Sequence, residues 1–149
     1  MLRLYDRLVA AISSKWPESL LLLFVRITFA GIFWRSGQAK MADGSWFTIS
    51  DATYELFRTE YTGVPLPPHL AAVMAASAEH AFPVLLVLGL FTRASAAALL
   101  VMTMVIQIFV YPDAWWTVHS LWTALALVLI LKGGGRLAMD PWLSARRGL

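Results

Sequence analysis

The chain has 149 residues, 59% of them hydrophobic and only 14% charged, with a mean hydropathy of +0.67. A soluble domain of this size carries about 25% charged residues, so the balance excludes that class and leaves an integral membrane protein built as one domain over residues 1–149. Cysteine is absent, which removes thiol–disulfide exchange and thiolate or iron–sulfur sites made by the chain itself, and the net charge of +3 comes from basic residues scattered around apolar segments rather than from a nucleic-acid-binding face.

Residues 1–17, MLRLYDRLVAAISSKWP, set Leu4, Leu8 and Ile12 on one side and spread Arg3, Arg7 and Lys15 around them. The apolar run continues past the length of a signal peptide, so the expectation is a retained amphipathic helix on the membrane surface. Residues 18–41 are long enough to span a bilayer at about 1.5 Å per residue, yet they carry Arg26, Arg35 and Lys40. Steps of four, three, four and three place Arg26, Ala30, Phe33, Gly37 and Lys40 on one stripe. Arg35 points the opposite way.

A polar connection follows, in which Ser50 caps a predicted short helix from 51 to about 61, with Tyr54, Phe57 and Tyr61 as an aromatic edge for the bilayer interface or the bundle end. Further spans are expected at 69–91, rich in small residues that allow close helix approach, at 94–111, and at 115–131, where Trp115 and Trp116 mark an interface. Pro83 lies inside the second span. The predicted architecture is all-α, a four-transmembrane-helix bundle. Arg3, Arg7, Lys15, Arg93, Lys132, Arg136, Arg146 and Arg147 fall on one side of it and only Lys40 and Arg58 on the other. The positive-inside rule predicts that both termini are cytoplasmic.

Intramembrane ionisable groups carry the functional expectation. Glu79 and His80 fall near the middle of the second span, and Arg26 is the predicted counter-ion of Glu79, because either charge left alone in the bundle costs several kcal/mol. Arg35 and Lys40 are expected to snorkel to the headgroups. Alternatively, Arg35, Lys40, His80, Gln107 and His119 converge on a polar pocket beneath the 42–67 loop. Such a pocket suits a quinone: Arg, Lys or His donates to its carbonyls, and Glu79 or His80 moves its protons. Arg26, Arg35, Lys40, Gln107 and His119 are the candidate ligand contacts. His80 and His119 form a candidate copper site, with the methionines as softer donors. No HExxH, CxxC, GxSxG or phosphate loop supports hydrolase or nucleotide chemistry.

Arg26, Gly31, Phe33, Gly37 and Lys40, followed by Glu79, by GLFTRASA at 89–96 and by GGGRLAMD at 133–140, resemble the DoxX family over nearly the whole chain. The resemblance implies a small four-helix membrane protein of bacteria or archaea associated with redox functions, with relatives linked to quinone-coupled sulfur oxidation and to membrane oxidoreductase assemblies. The aromatic-rich 46–61 segment resembles a proteobacterial subgroup encoded beside metal-stress peptide systems. Three functions are therefore expected in turn: a quinone-linked oxidoreductase component, a copper-handling protein with a metal-stress partner, or a membrane anchor for a partner enzyme. The small residues on the second and third spans permit a homo-oligomer.

Overall fold

A computed structural model describes residues 3, 5, 6, 9, 10 and 14–146. Of the expected N-terminal surface helix over 1–17, residues 1, 2, 4, 7, 8 and 11–13 lie outside the described residues; 3, 5, 6, 9 and 10 are helical, and 15–17 belong to the first spanning helix. The described elements are α1 (Lys15–Ala39), α2 (Asp51–Thr59), α3 (Pro68–Leu88), α4 (Thr92–Phe109), a 3-10 turn (Pro112–Ala114), a π-helical turn (Trp115–His119), α5 (Ser120–Lys132) and α6 (Asp140–Arg146). α1, α3, α4 and the run Pro112–Lys132 are each long and apolar enough to cross a membrane. The protein is an all-α, four-helix membrane protein, and its spans lie within a few residues of those read from the sequence.

These helices are apolar nearly all round, the composition of a helix that meets lipid on its outer side. Leu20, Leu21, Phe24 and Ile27 of α1 are more than half exposed, as are Val101 and Ile108 of α4 and Leu121 and Leu131 of α5. The inward stripe of α1, with Leu22, Val25, Phe29, Ala30 and Phe33, packs on Leu86, Ala96, Leu99, Ala126 and Leu129. Edge-to-face rings extend this core: Phe33 meets Phe29 at 5.2 Å and Trp122 at 5.4 Å between centroids. Arg26, Ala30, Phe33, Gly37 and Lys40 are all buried, and Arg35 is exposed, as the four-and-three spacing predicts.

One end of the bundle is covered by α2. Ser50 Oγ accepts from Thr53 N, which caps the helix as the sequence implies. Thr53 Oγ1 and Ser50 N both donate to Lys40 O, so the start of α2 holds the end of α1. Phe57 packs on Ala71 and Ala72 of α3, with Tyr54 and Tyr61 beside it. The aromatic edge thus caps the bundle.

The opposite end, here the glycine end, is tied through backbone groups. α3 stops in a Schellman motif, with Leu90 N donating to Leu85 O and Gly89 N to Leu86 O, which requires the left-handed φ of +69° at Gly89. The next helix starts immediately, and its first amides are capped from 48 residues away: Phe91 N and Thr92 N donate to the two carboxylate oxygens of Asp140 at 2.6 and 2.9 Å. Asp140 N returns a bond to Gly89 O. The segments GLFT and GGGRLAMD are therefore two halves of one junction. A side chain at Gly89 would be strained by its φ and would collide with Arg26 and Ala138. Replacing Gly89 with Ala is expected to destabilise the fold by about 2 kcal/mol or more, read as a lower thermal midpoint of the detergent-solubilised protein.

Candidate functional site

Among the described residues, three charged side chains are buried: Arg26, Lys40 and Glu79. The register of α1 against α3 decides how they pair. The two helices run antiparallel, with Ser36 Oγ reaching Glu79 Oε1 at 3.0 Å and Gln38 reaching His80. Glu79 therefore lies opposite the α2 end of α1. Arg26, ten residues before Ser36 and so about 15 Å further along the helix, lies opposite the other end of α3.

The counter-ion of Glu79 is Lys40, not Arg26. Lys40 Nζ is 3.0 Å from Oε1 and 2.8 Å from Oε2, and it also donates to Ser36 Oγ at 3.0 Å. Lys40 is only 8% exposed, so it does not snorkel to the headgroups as its position near a helix end suggests. A buried carboxylate provides what water would have provided. Among the described residues Oε2 has no partner beyond its ion-pair contact with Nζ, which leaves acceptor capacity on that oxygen.

Arg26 finds carbonyl partners for its two terminal nitrogens, while its buried Nε has no hydrogen-bond partner among the described residues. Its Nη1 donates to Leu86 O and Val87 O, and its Nη2 to Leu137 O at 2.9 Å. The last carbonyls of a helix carry the negative end of its dipole and lack partners within the helix. A guanidinium with five donors is well matched to them.

Gly37 makes this register possible. A Cβ there would sit 2.9 Å from His80 Cε1 and 3.1 Å from Glu79 Cβ, so α3 approaches α1 where α1 has no side chain. His80 is held on both nitrogens. Nδ1 donates to Ala76 O at 2.7 Å, which leaves Nε2 as acceptor for the Gln38 amide at 2.8 Å, and the ring packs edge-on to Trp34. Both ring nitrogens of this imidazole are therefore hydrogen-bonded.

The second polar cluster is separate. Gln107 Nε2 donates to Pro112 O, so its Oε1 accepts from His119 Nδ1 at 2.7 Å. His119 is buried at the end of the π-helical turn and packs on Trp122. This pair ties α4 to the start of the last span. Among the described residues, no three His, Asp or Glu side chains are grouped to hold a metal ion. Of the five residues expected to converge on one pocket, only Lys40 lines the cavity beside Glu79; Arg35 faces outward, His80 lies behind Gly37, and Gln107 and His119 pair with one another.

That cavity has a volume of about 250 Å³ and lies between α3, α4 and the loop after α2. Its walls are apolar, with Met74, Phe82 and Met102 among them, and its polar groups are Lys40, Glu79 and Tyr61. The Tyr61 phenol is pushed up to about 12, chiefly by burial and then by the negative charges and phenol around it, so it is a neutral hydrogen-bond donor at physiological pH. Ser36, Gln38 and Tyr61 are absent from the sequence-based set of site residues. Ser36 had a signal, lying one turn before Lys40 and so beside it on the helix; Tyr61 had one in its aromatic edge.

Comparison with known proteins bears on the same elements. The DoxX family model matches residues 21–112, which include Arg26, Lys40 and Glu79 but stop before His119 and the glycine segment. An uncharacterized protein of Haemophilus influenzae is 28% identical over 127 residues, covering 80% of each chain. No solved structure matches.

A double-mutant cycle tests the pair. Glu79→Gln and Lys40→Met are each expected to lose about 3 kcal/mol or more of stability by leaving a buried charge alone, and the double variant to recover most of it. Chemical denaturation of the four proteins in one detergent reads the coupling.

Proposed function

As the chain belongs to the DoxX family, we propose that it binds an amphiphilic ring compound of the quinone class in the cavity between α3 and α4, as a redox-associated component of the membrane. The observation that carries this reading is the cavity itself, whose long apolar walls end on a buried ion pair and a neutral phenol. Ligand sites have this composition: apolar lining with a few placed polar groups. A cavity of about 250 Å³ suits a single substituted ring, and the exposed Met74 and Val101 on its rim leave a path for an isoprenoid tail toward lipid.

The residues divide the work by their chemistry. Lys40, fixed by Ser36 and Glu79, presents its ammonium to a ring carbonyl. Tyr61 donates from the other side. Glu79, with acceptor capacity left on Oε2, takes or returns a proton at the ring oxygen, and a bound quinone supplies the electron-carrying chemistry. His80 holds Glu79 in place through the packing at Gly37. Arg26 and the Gln107–His119 pair stand outside this site and stabilise the bundle. The copper reading has less support, since both nitrogens of His80 are already bonded. The membrane is proposed to be the bacterial inner membrane, on the bacterial relative, with the glycine end cytoplasmic on the asymmetry of Lys and Arg.

The test is extraction from quinone-containing membranes in mild detergent, followed by measurement of quinone per chain. About one equivalent is expected in the native protein. Ala78→Leu, which fills the cavity without touching the ion pair, should lose it while keeping the native melting temperature. A native protein without quinone, and with no shift in melting temperature on adding a short-chain quinone, would sink the proposal and favour a purely structural ion pair in an assembly subunit.

A further inference from the structure

At the glycine end, the ends of α1, α4 and α5 and the start of α6 surround a second cavity, with a volume of about 730 Å³. Its walls carry four cations, Lys15, Arg93, Lys132 and Arg136, and two carboxylates, Glu18 and Asp140. Both acids have other work. Glu18 pairs with Lys132 at 2.9 Å, and Asp140 caps α4 through both oxygens. Lys15, Arg93 and Arg136 form no ion pair among the described residues.

Two of these three, though exposed, are each held by a contact. Arg93 Nη1 donates to Ile130 O at 2.7 Å, anchoring one edge of its guanidinium on the end of α5. Arg136 lies over the Trp16 ring at 5.2 Å, and its own backbone N–H donates to Ser19 Oγ. Thr92, whose hydroxyl is buried and has no hydrogen-bond partner among the described residues, lines the same wall. The cavity is thus an open cleft with net positive charge, in which two exposed guanidinium groups are each held by a contact, and such planar donors recognise phosphate. Exposed Phe91, Leu131 and Trp142 surround it at the level where spanning helices end.

We propose that this cavity binds a phosphate group, carried on an anionic lipid of the adjoining leaflet or free in solution, with Arg93 and Arg136 as its principal contacts. The site is independent of the cavity at Lys40 and Glu79, and its occupation braces the junction of α1, α4 and the segment after α5. Diffuse attraction of basic residues to anionic lipid needs no cavity. The distinguishing property is that only cations lining the cavity matter.

The full chain is reconstituted in phosphatidylcholine nanodiscs with a minor share of phosphatidylglycerol, gently released, and examined by native mass spectrometry. A parallel arm uses phosphatidylcholine alone with inorganic phosphate. One phosphatidylglycerol retained per chain is expected, with retention falling about fivefold in Arg93→Gln or Arg136→Gln and roughly 25-fold in the double variant, while Arg3→Gln, outside the cavity, changes nothing. A phosphate adduct in the second arm that is lost in the same variants also supports the site and assigns it to free phosphate. Equal retention of the two lipids with no phosphate adduct overturns the proposal. So does a loss in Arg3→Gln as large as in Arg93→Gln, which is the mark of diffuse charge. If Arg93→Gln loses the fold along with the Ile130 contact, Lys15→Gln combined with Arg136→Gln gives the same reading.

Discussion

Lys40 and Glu79, 2.8 Å apart and both buried, fix how α1 lies against α3, and most of the bundle follows from that register. Neither charge is tolerable in the bundle without the other. Their contact requires the backbones to approach, and Gly37 allows it by leaving room for Glu79 and His80. Once Glu79 is opposite the last turn of α1, antiparallel packing carries Arg26 to the last turn of α3. There the guanidinium meets carbonyls that the helix itself cannot satisfy. One ion pair and one guanidinium, about 21 Å apart along α1, therefore pin the same helix pair at its two ends.

The two ends are built differently, and the difference bears on function. The glycine end is a junction of backbone groups, in which Arg26, Asp140 and the left-handed turn at Gly89 join four chain segments. Such a junction has little freedom to rearrange. At the α2 end the polar atoms belong to side chains, and a loop with one short helix covers them. The cavity beside Lys40 and Glu79 lies under this lighter cover. A ligand entering there displaces side chains and a loop rather than the ends of spanning helices.

The helices themselves were legible because membrane spans announce their length and composition locally. The α1 stripe was legible too, since a period of 3.6 fixes which side chains share a face. The α2 cap at Ser50 depends on neighbours three residues apart and was equally visible. The charge pairing was misread at Arg26. Counting along isolated spans put Arg26 and Glu79 within reach, but an offset of a few residues between antiparallel helices moves a partner by one or two turns. Lys40 was misread for a related reason: its place near a helix end suggests water, and only α2 folding over that end removes it. His80 and His119 read as a candidate metal pair because nothing in sequence shows Ala76 O and Gln38 engaging both nitrogens of His80, or Gln107 engaging Nδ1 of His119.

The sequence by itself determined that this chain makes four apolar helices, which face of α1 turns inward, and that charged residues on that face need partners. These are properties of one helix and its solvent, set by spacing and transfer free energy. The tertiary structure decided which partners they find. It gave Glu79 to Lys40, gave Arg26 to the carbonyls of α3 and Leu137, and gave the first amides of α4 to Asp140. Partner choice depends on helix register and loop closure, and both are settled by packing among segments far apart in the chain.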